Sequence, residues 1–322
     1  MSRRFPIACL LVTAVALGGP ALAQPYPAKP IRMIVGFPPG GGTDIMARLL
    51  AAKLPEFLGQ PFVVENRPGA ATNIAMEHVA RSAPDGYTIL VTTATMAMNP
   101  SFYKKLPFDV LRDFAPVSVF SDSPNVLVVR ASLAAKDAGE VVALARAKPG
   151  VLNYSSAGTG TTQHMTGELF KLRTGTDIVH VPFKGTGPSL TTLIAGDVDM
   201  TFANIPAILP HVRTGRLRAL AVAGAKRSEL MPDVPTMKEA GVDGVEVTIW
   251  YGVLAPAATP RAVVDTLAAA VTKAARSPDI RTRLLEQGAE PIGNTPEEFA
   301  RQLREEVARW NRVVATSGIR VD

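Results

Sequence analysis

Two glycine-rich turns constrain this chain more than any other feature. They are Gly36-Phe37-Pro38-Pro39-Gly40-Gly41-Gly42-Thr43-Asp44 and Tyr154-Ser155-Ser156-Ala157-Gly158-Thr159-Gly160-Thr161-Thr162. Each follows a short β-like run (31–35 and 151–154) and opens an amphipathic helical stretch. Such a turn points backbone N–H groups outward at the positive end of a helix dipole, which suits an anion. A lone glycine turn reads as a tight strand-to-helix connection. A pair flanked by the hydroxyls of Thr43, Ser156, Thr159, Thr161 and Thr162 reads as two lobes facing one acidic ligand.

The remaining pattern supports that architecture. Apolar β-like runs at 62–65, 87–92, 125–129, 178–181, 199–202, 217–223 and 245–254 alternate with helical segments such as 138–147 and 190–195. Alternation of this kind predicts an α/β fold with mainly parallel sheets. Pro55 should end or kink the first helix. Thr259-Pro260, Ser277-Pro278 and Thr295-Pro296 each place a hydroxyl before proline at a helix start. Glu298 completes a capping box with Thr295, and the helix behind it carries Phe299, Leu303, Val307, Trp310 and Val314 on one stripe before a stop at Gly318. No linker separates the two βα series, so crossing strands near 115–125 and 245–254 should join them. The division expected is residues 24–122 with 250–322 in lobe 1 and 123–249 in lobe 2.

The first residues read as an export signal: Arg3 and Arg4, an apolar run from Ala8 to Leu17, and Ala21-Leu22-Ala23 as a cleavage site before Gln24. The two arginines permit twin-arginine export, although Sec export is the commoner route for such a segment. Removing 23 of 322 residues leaves 299, enough for two packed domains. The sole cysteine, Cys9, lies in the signal, so the mature chain offers no disulfide and no thiolate metal site. A formal charge of +6 falls to +4 with loss of Arg3 and Arg4, and no Lys/Arg block marks a nucleic-acid patch.

Enzyme signatures are missing. Neither glycine turn fits a P-loop or a dinucleotide fingerprint, and no G-x-S-x-G elbow surrounds Ser155 or Ser156. His164 and Glu168 share a helix face, but His78, His180 and His211 add no ligand spacing, so neither a metal nor a cofactor is expected. The candidate ligand-binding residues are backbone donors at Gly40, Gly41, Gly42, Gly158, Thr159, Gly160 and Thr161, with side chains from Thr43, Ser156 and His164. Phe37 is a candidate apolar wall. Lys184 reads equally as a cleft residue or a solvated one. Asp44 caps the first helix or accepts from an amine, hydroxyl or water, because an ionised carboxylate repels an anion.

These segments resemble the extracytoplasmic solute receptors of tripartite tricarboxylate transporters, the Bug family. The resemblance also runs through Val63-Val64-Glu65-Asn66-Arg67-Pro68-Gly69-Ala70, Asp85-Gly86-Tyr87, His180-Val181-Pro182-Phe183-Lys184-Gly185, Gly196-Asp197-Val198-Asp199 and Pro232-Asp233-Val234-Pro235-Thr236. It covers nearly the whole mature chain. It implies a type II periplasmic binding fold and a ligand carboxylate held by the loops matching Gly36–Asp44 and Ser155–His164, partly through ordered waters. Asn204, beside Ala203, stands where relatives often carry an acidic residue or Ser, which argues against a ligand-amine contact. The partners implied are a small carboxylate and a two-subunit inner-membrane permease, with a monomeric receptor in the periplasm. A two-component sensor kinase is the alternative partner. A serine hydrolase and a cytoplasmic regulator fit the sequence less well.

Overall fold

A computed structural model describes residues 26–317. The export signal, Cys9 and the helix stop at Gly318 lie outside the described residues.

β1 (Ile31–Val35) is buried at every position but Arg32, whose guanidinium pairs with Glu65 on the neighbouring strand. The glycine turn after it leads into α1 (Gly42–Lys53), and Pro55 breaks the helix into a short α2 (Pro55–Leu58), as its missing N–H dictates. Next come β2 (Phe62–Asn66), α3 (Asn73–Ala80), β3 (Thr88–Thr93) and α4 (Thr95–Phe102). β2, β1 and β3 pair in parallel.

The second half repeats this plan. α5 (Ala138–Ala147) precedes β5 (Asn153–Ser156), the second glycine turn and α6 (Thr162–Thr174), followed by β6 (Val179–Pro182), α7 (Thr186–Ala195), β7 (Met200–Asn204), α8 (Ile205–Arg213) and β8 (Leu217–Val222). β6, β5 and β7 are again parallel. The strand expected from Val151 starts two residues later, and Val151 sits exposed in a turn.

Two long strands join the halves. β4 (Phe114–Arg130) pairs antiparallel with β9 (Thr248–Pro256) from Phe114 to Pro124, then with β7 and β8 from Asn125 and Val126 onward. β9 also pairs antiparallel with β3. Parallel pairing therefore holds within each three-strand set, and the crossing strands connect the sets antiparallel. The 115–125 and 125–129 runs, read separately in the sequence, are one 17-residue strand.

α9 (Arg261–Arg276), α10 (Pro278–Glu286), the two-residue β10 (Glu290–Pro291) and α11 (Pro296–Ser317) complete the fold. The capping box forms: Glu298 N–H donates to Thr295 Oγ1 at 3.2 Å, and Thr295 N–H to Glu298 Oε2 at 2.9 Å. Phe299, Leu303, Val307 and Trp310 are buried. The other two starts differ from expectation. Pro260 is itself the N-cap of α9, and Thr259 Oγ1 is buried without a partner. Ser277 caps α10 by position, but its hydroxyl donates to Ala274 O instead. One apolar cluster runs through both sheets, including Leu90, Val119, Leu127, Phe202 and Trp250. The crossing strands are thus anchored in core on both sides, which fixes where the two glycine turns face each other.

Candidate ligand-binding cleft

The first turn is held by a carboxylate. Asp44, third residue of α1 and 3% exposed, accepts from Gly40 N–H at 3.0 Å, Arg48 Nε at 2.9 Å and Asn66 Nδ2 at 2.9 Å. Asn66 Nδ2 also donates to Phe37 O, tying the turn to the end of β2. Gly40 stands at φ +81°, a conformation glycine adopts without penalty. Burial raises the Asp44 carboxyl, but the bonds from Arg48, Gly40 and Asn66 together hold it below the usual range. Asp44 thus serves the turn and does not line the cleft. Gly40, expected as a ligand donor, has its N–H taken by Asp44. The N-cap, Gly41, has no side-chain cap, and the N–H groups of Gly41, Gly42 and Thr43 have no partner among the described residues.

The second turn is held by hydroxyls and imidazoles. Ser156 Oγ, fully buried, accepts from Gly158 N–H at 3.1 Å and bonds His180 Nε2 at 2.7 Å. Gly160 N–H donates to His164 Nδ1 at 3.1 Å, Thr161 N–H to Gly158 O at 3.2 Å, and Thr161 Oγ1 caps α6. His180 stacks on His164 at 4.0 Å between centroids and on Tyr154 at 4.9 Å. Burial pushes His164 down to about 4, helped by Lys171, and pushes His180 down to about 3, helped by His164. Both are neutral at pH 7, so His164 Nδ1 can accept. This corrects the expected roles of five residues: Gly158, Gly160 and Thr161 have their N–H groups engaged within the turn, and Ser156 and His164 support it from behind. The N–H groups of Thr159, Thr162 and Gln163 have no partner among the described residues.

The two turns meet. Gly42 and Thr43 of the first and Thr161, Thr162 and Gln163 of the second line a small space of about 20 Å³, with Asn204 at its wall. Asn204 Nδ2 donates to the Tyr251 hydroxyl of β9 and leaves no room for a Cβ on Gly42, while Asn204 Oδ1 and Gln163 Oε1 are buried without partners. Phe37 and Ala157 line both this space and a larger cleft of about 460 Å³, which reaches out past Gly158, Thr159 and the exposed Lys184. No carboxylate lines either space. Pro38 of one half packs on Gly185 of the other, where a Cβ would come within 2.7 Å of the proline ring.

Several lining residues were not legible in the sequence: Pro68, Gly69, Ala70, Ala71 and Thr72, with Tyr103 and Phe183. The Pro-Gly pair signalled only a turn. Ala70, Ala71 and Thr72 all have positive φ (46°, 46° and 73°), a conformation that costs a non-glycine residue roughly 1–2 kcal/mol.

Two other arrangements carry less. Ser156 and His180 form a serine–imidazole pair, but the hydroxyl is fully buried and already holds Gly158, so no substrate reaches it. A second cavity of about 220 Å³ lies beside β10, lined by Asp122, Glu229 and Glu290 as well as Lys226 and Arg227. Burial, then Glu290, pushes Asp122 up to about 6, so this cavity already holds excess negative charge and disfavours an anion. Among the described residues no group of three or more His, Cys, Asp or Glu is placed to hold a metal.

The model of the tripartite tricarboxylate transporter family receptor matches residues 46–319. Protein BugT of Bordetella pertussis is 38% identical over 100% of this chain and 99% of its own. Two solved structures from Rhodopseudomonas palustris superpose on nearly the whole described fold. Rpa4515 with adipate is 40% identical, with a TM-score of 0.89 over 92% of this chain and 99% of that one. MatC with bound malate is 35% identical, with a TM-score of 0.86 over 90% and 100%.

Proposed function

This chain belongs to the tripartite tricarboxylate transporter receptor family, whose members are solute-binding receptors and not enzymes, and from that premise we propose that it captures a small carboxylate in the periplasm and delivers it to a two-subunit membrane permease. The observation that carries this reading is the pair of helix N-termini across one cleft. Gly42 and Thr43, with unpartnered N–H groups, line the inner space together with Thr162 and Gln163, whose N–H groups are also unpartnered, while Thr159 lines the adjoining outer cleft and no acid lines either.

Hydrogen bonds to a charged group contribute about 1.5–3 kcal/mol each. Four of them supply about 6–12 kcal/mol, which offsets much of the association cost, and burial of the ligand's apolar body adds toward the net of about 8 kcal/mol that micromolar binding requires. No arginine clamp is needed. The carboxylate sits where the inner space opens into the outer cleft, and the inner space of about 20 Å³ holds about one water, from which the Asn204 and Gln163 amide oxygens accept. The apolar outer cleft, walled by Phe37, Tyr103 and Phe183, takes the ligand body. Lys184 stands where it meets a second carboxylate, and adipate and malate, bound by the two R. palustris proteins, each carry one. Residues 24–122 with 250–322 and residues 123–249 move as two lobes about the crossing strands and close over the ligand.

Calorimetry on protein refolded to strip carried-over ligand, against mono-, di- and tricarboxylates, tests this. Micromolar or tighter binding of at least one is expected. Binding of none contradicts the reading. Loss of uptake in cells lacking the permease distinguishes delivery from signalling to a sensor kinase.

A further inference from the structure

Among the described residues, the non-glycine positions with positive φ are three in a row: Ala70, Ala71 and Thr72. They follow Gly69, also at positive φ, so the chain uses glycine at the first left-handed position and side chains at the next three. A left-handed run of L-residues persists only where its surroundings impose it. Here Asn99, fully buried in α4, donates through Nδ2 to Ala71 O at 2.8 Å and Asn73 Oδ1 at 2.7 Å. Thr72 packs against the start of the first glycine turn, where a Cβ on Gly36 would lie 2.5 Å from its own. Ala71 faces the second turn, its Cβ 3.9 Å from where one on Gly160 would stand.

The strained run is therefore wedged between the two turns, and all three of its residues line the outer cleft. Glycine would satisfy this backbone with less strain. What glycine cannot supply is the methyl groups: those of Ala70 and Ala71 on the cleft wall, and that of Thr72 buried behind it against Gly36.

We propose that Ala71 and Thr72 determine specificity: their methyl groups set the width of the cleft beside the carboxylate space, favouring a slender, unbranched ligand body over a ring. Asn99 is the positioning residue that holds them there. This inference rests on the carboxylate reading above and deepens it by assigning the shape of the ligand body.

The test uses the full mature chain, its Ala71→Gly and Thr72→Gly variants and the double variant. Affinities for adipate, malate and terephthalate are measured by calorimetry, and ligand-free melting temperatures are recorded alongside. The double variant should melt a few degrees higher than wild type, and its affinity ratio of terephthalate to adipate should rise at least tenfold. An unchanged ratio, whatever the melting temperature, overturns the inference, because the run would then be a structural turn only. Wild type that binds none of the three overturns this inference, and the carboxylate reading falls with it only if the whole mono-, di- and tricarboxylate panel also fails to bind. Wild type that binds while the ratio stays fixed removes this inference alone.

Discussion

The two glycine turns do the same job with opposite chemistry. The first is fastened by an ionised carboxylate, Asp44, accepting from Gly40, Arg48 and Asn66. The second is fastened by a neutral imidazole, His164, and by a serine hydroxyl bonded to another imidazole, His180. An ionised carboxylate accepts throughout the neutral range, whereas an imidazole nitrogen accepts only while unprotonated. The comparison teaches that the second half of the cleft is the pH-sensitive half, even though both turns present N–H groups to the same space.

Acidification should separate the two turns most. His164 and His180 have folded values depressed to about 4 and about 3, so the unfolded chain binds more protons below the ordinary histidine value. Their contribution is complete above about pH 6.5 and is lost as pH falls toward about 4. Asp122 works in the other direction: its raised value costs stability as pH climbs from about 4 to about 6. In an Asp122→Asn background, urea unfolding at pH 7.5 and 4.5 should therefore differ by roughly 3 kcal/mol or more. Equal stability at the two values would mean that His164 and His180 titrate normally.

Removing the anionic fastener comes next. Asp44→Ala strands Gly40 N–H, Asn66 and a half-exposed Arg48, and should cost about 3 kcal/mol. Carboxylate affinity should fall with it, since the Gly41–Thr43 donors lose their anchor. Ser156→Ala should cost about 1–2 kcal/mol, releasing Gly158 and His180, and should make carboxylate affinity more pH-dependent than in wild type. The smallest effect is expected from Arg48→Ala, below about 1 kcal/mol, because its guanidinium is half in water. A large loss there would move the fastening from Asp44's backbone bond to its ion pair.

What the sequence disclosed follows from what each feature depends on. Glycines before a helix and a capping box at Thr295 and Glu298 are local rules, and both turns and the α11 start were legible. The alternation of apolar runs disclosed the α/β class. Three helices were not read: α3, α4 and α8. The last two contain proline, at Pro100, Pro206 and Pro210, and the weak periodicity of α4 reflects burial on nearly every side. Within the site, Gly42 and Thr159, read from the turn tips, line the spaces between the turns. The N–H groups of Gly40, Gly158, Gly160 and Thr161 and the side chains of Ser156 and His164 are instead engaged inside the turns, because which groups a turn keeps for itself depends on contacts with distant partners such as His180. The strained wall at Ala70–Thr72 left no trace, since nothing in an Ala-Ala-Thr sequence demands positive φ. It becomes visible only once Asn99 and Gly36 are seen to impose it.

The central claim is that one carboxylate is gripped by N–H groups from both turns at once, and an amide-resolved NMR titration with adipate tests it most directly. Gly41, Gly42 and Thr43 should shift downfield together with Thr159, Thr162 and Gln163, all with one midpoint, while Gly40 and Gly160 move little. Shifts confined to one turn, or centred on the Asp122 cavity, would contradict the account.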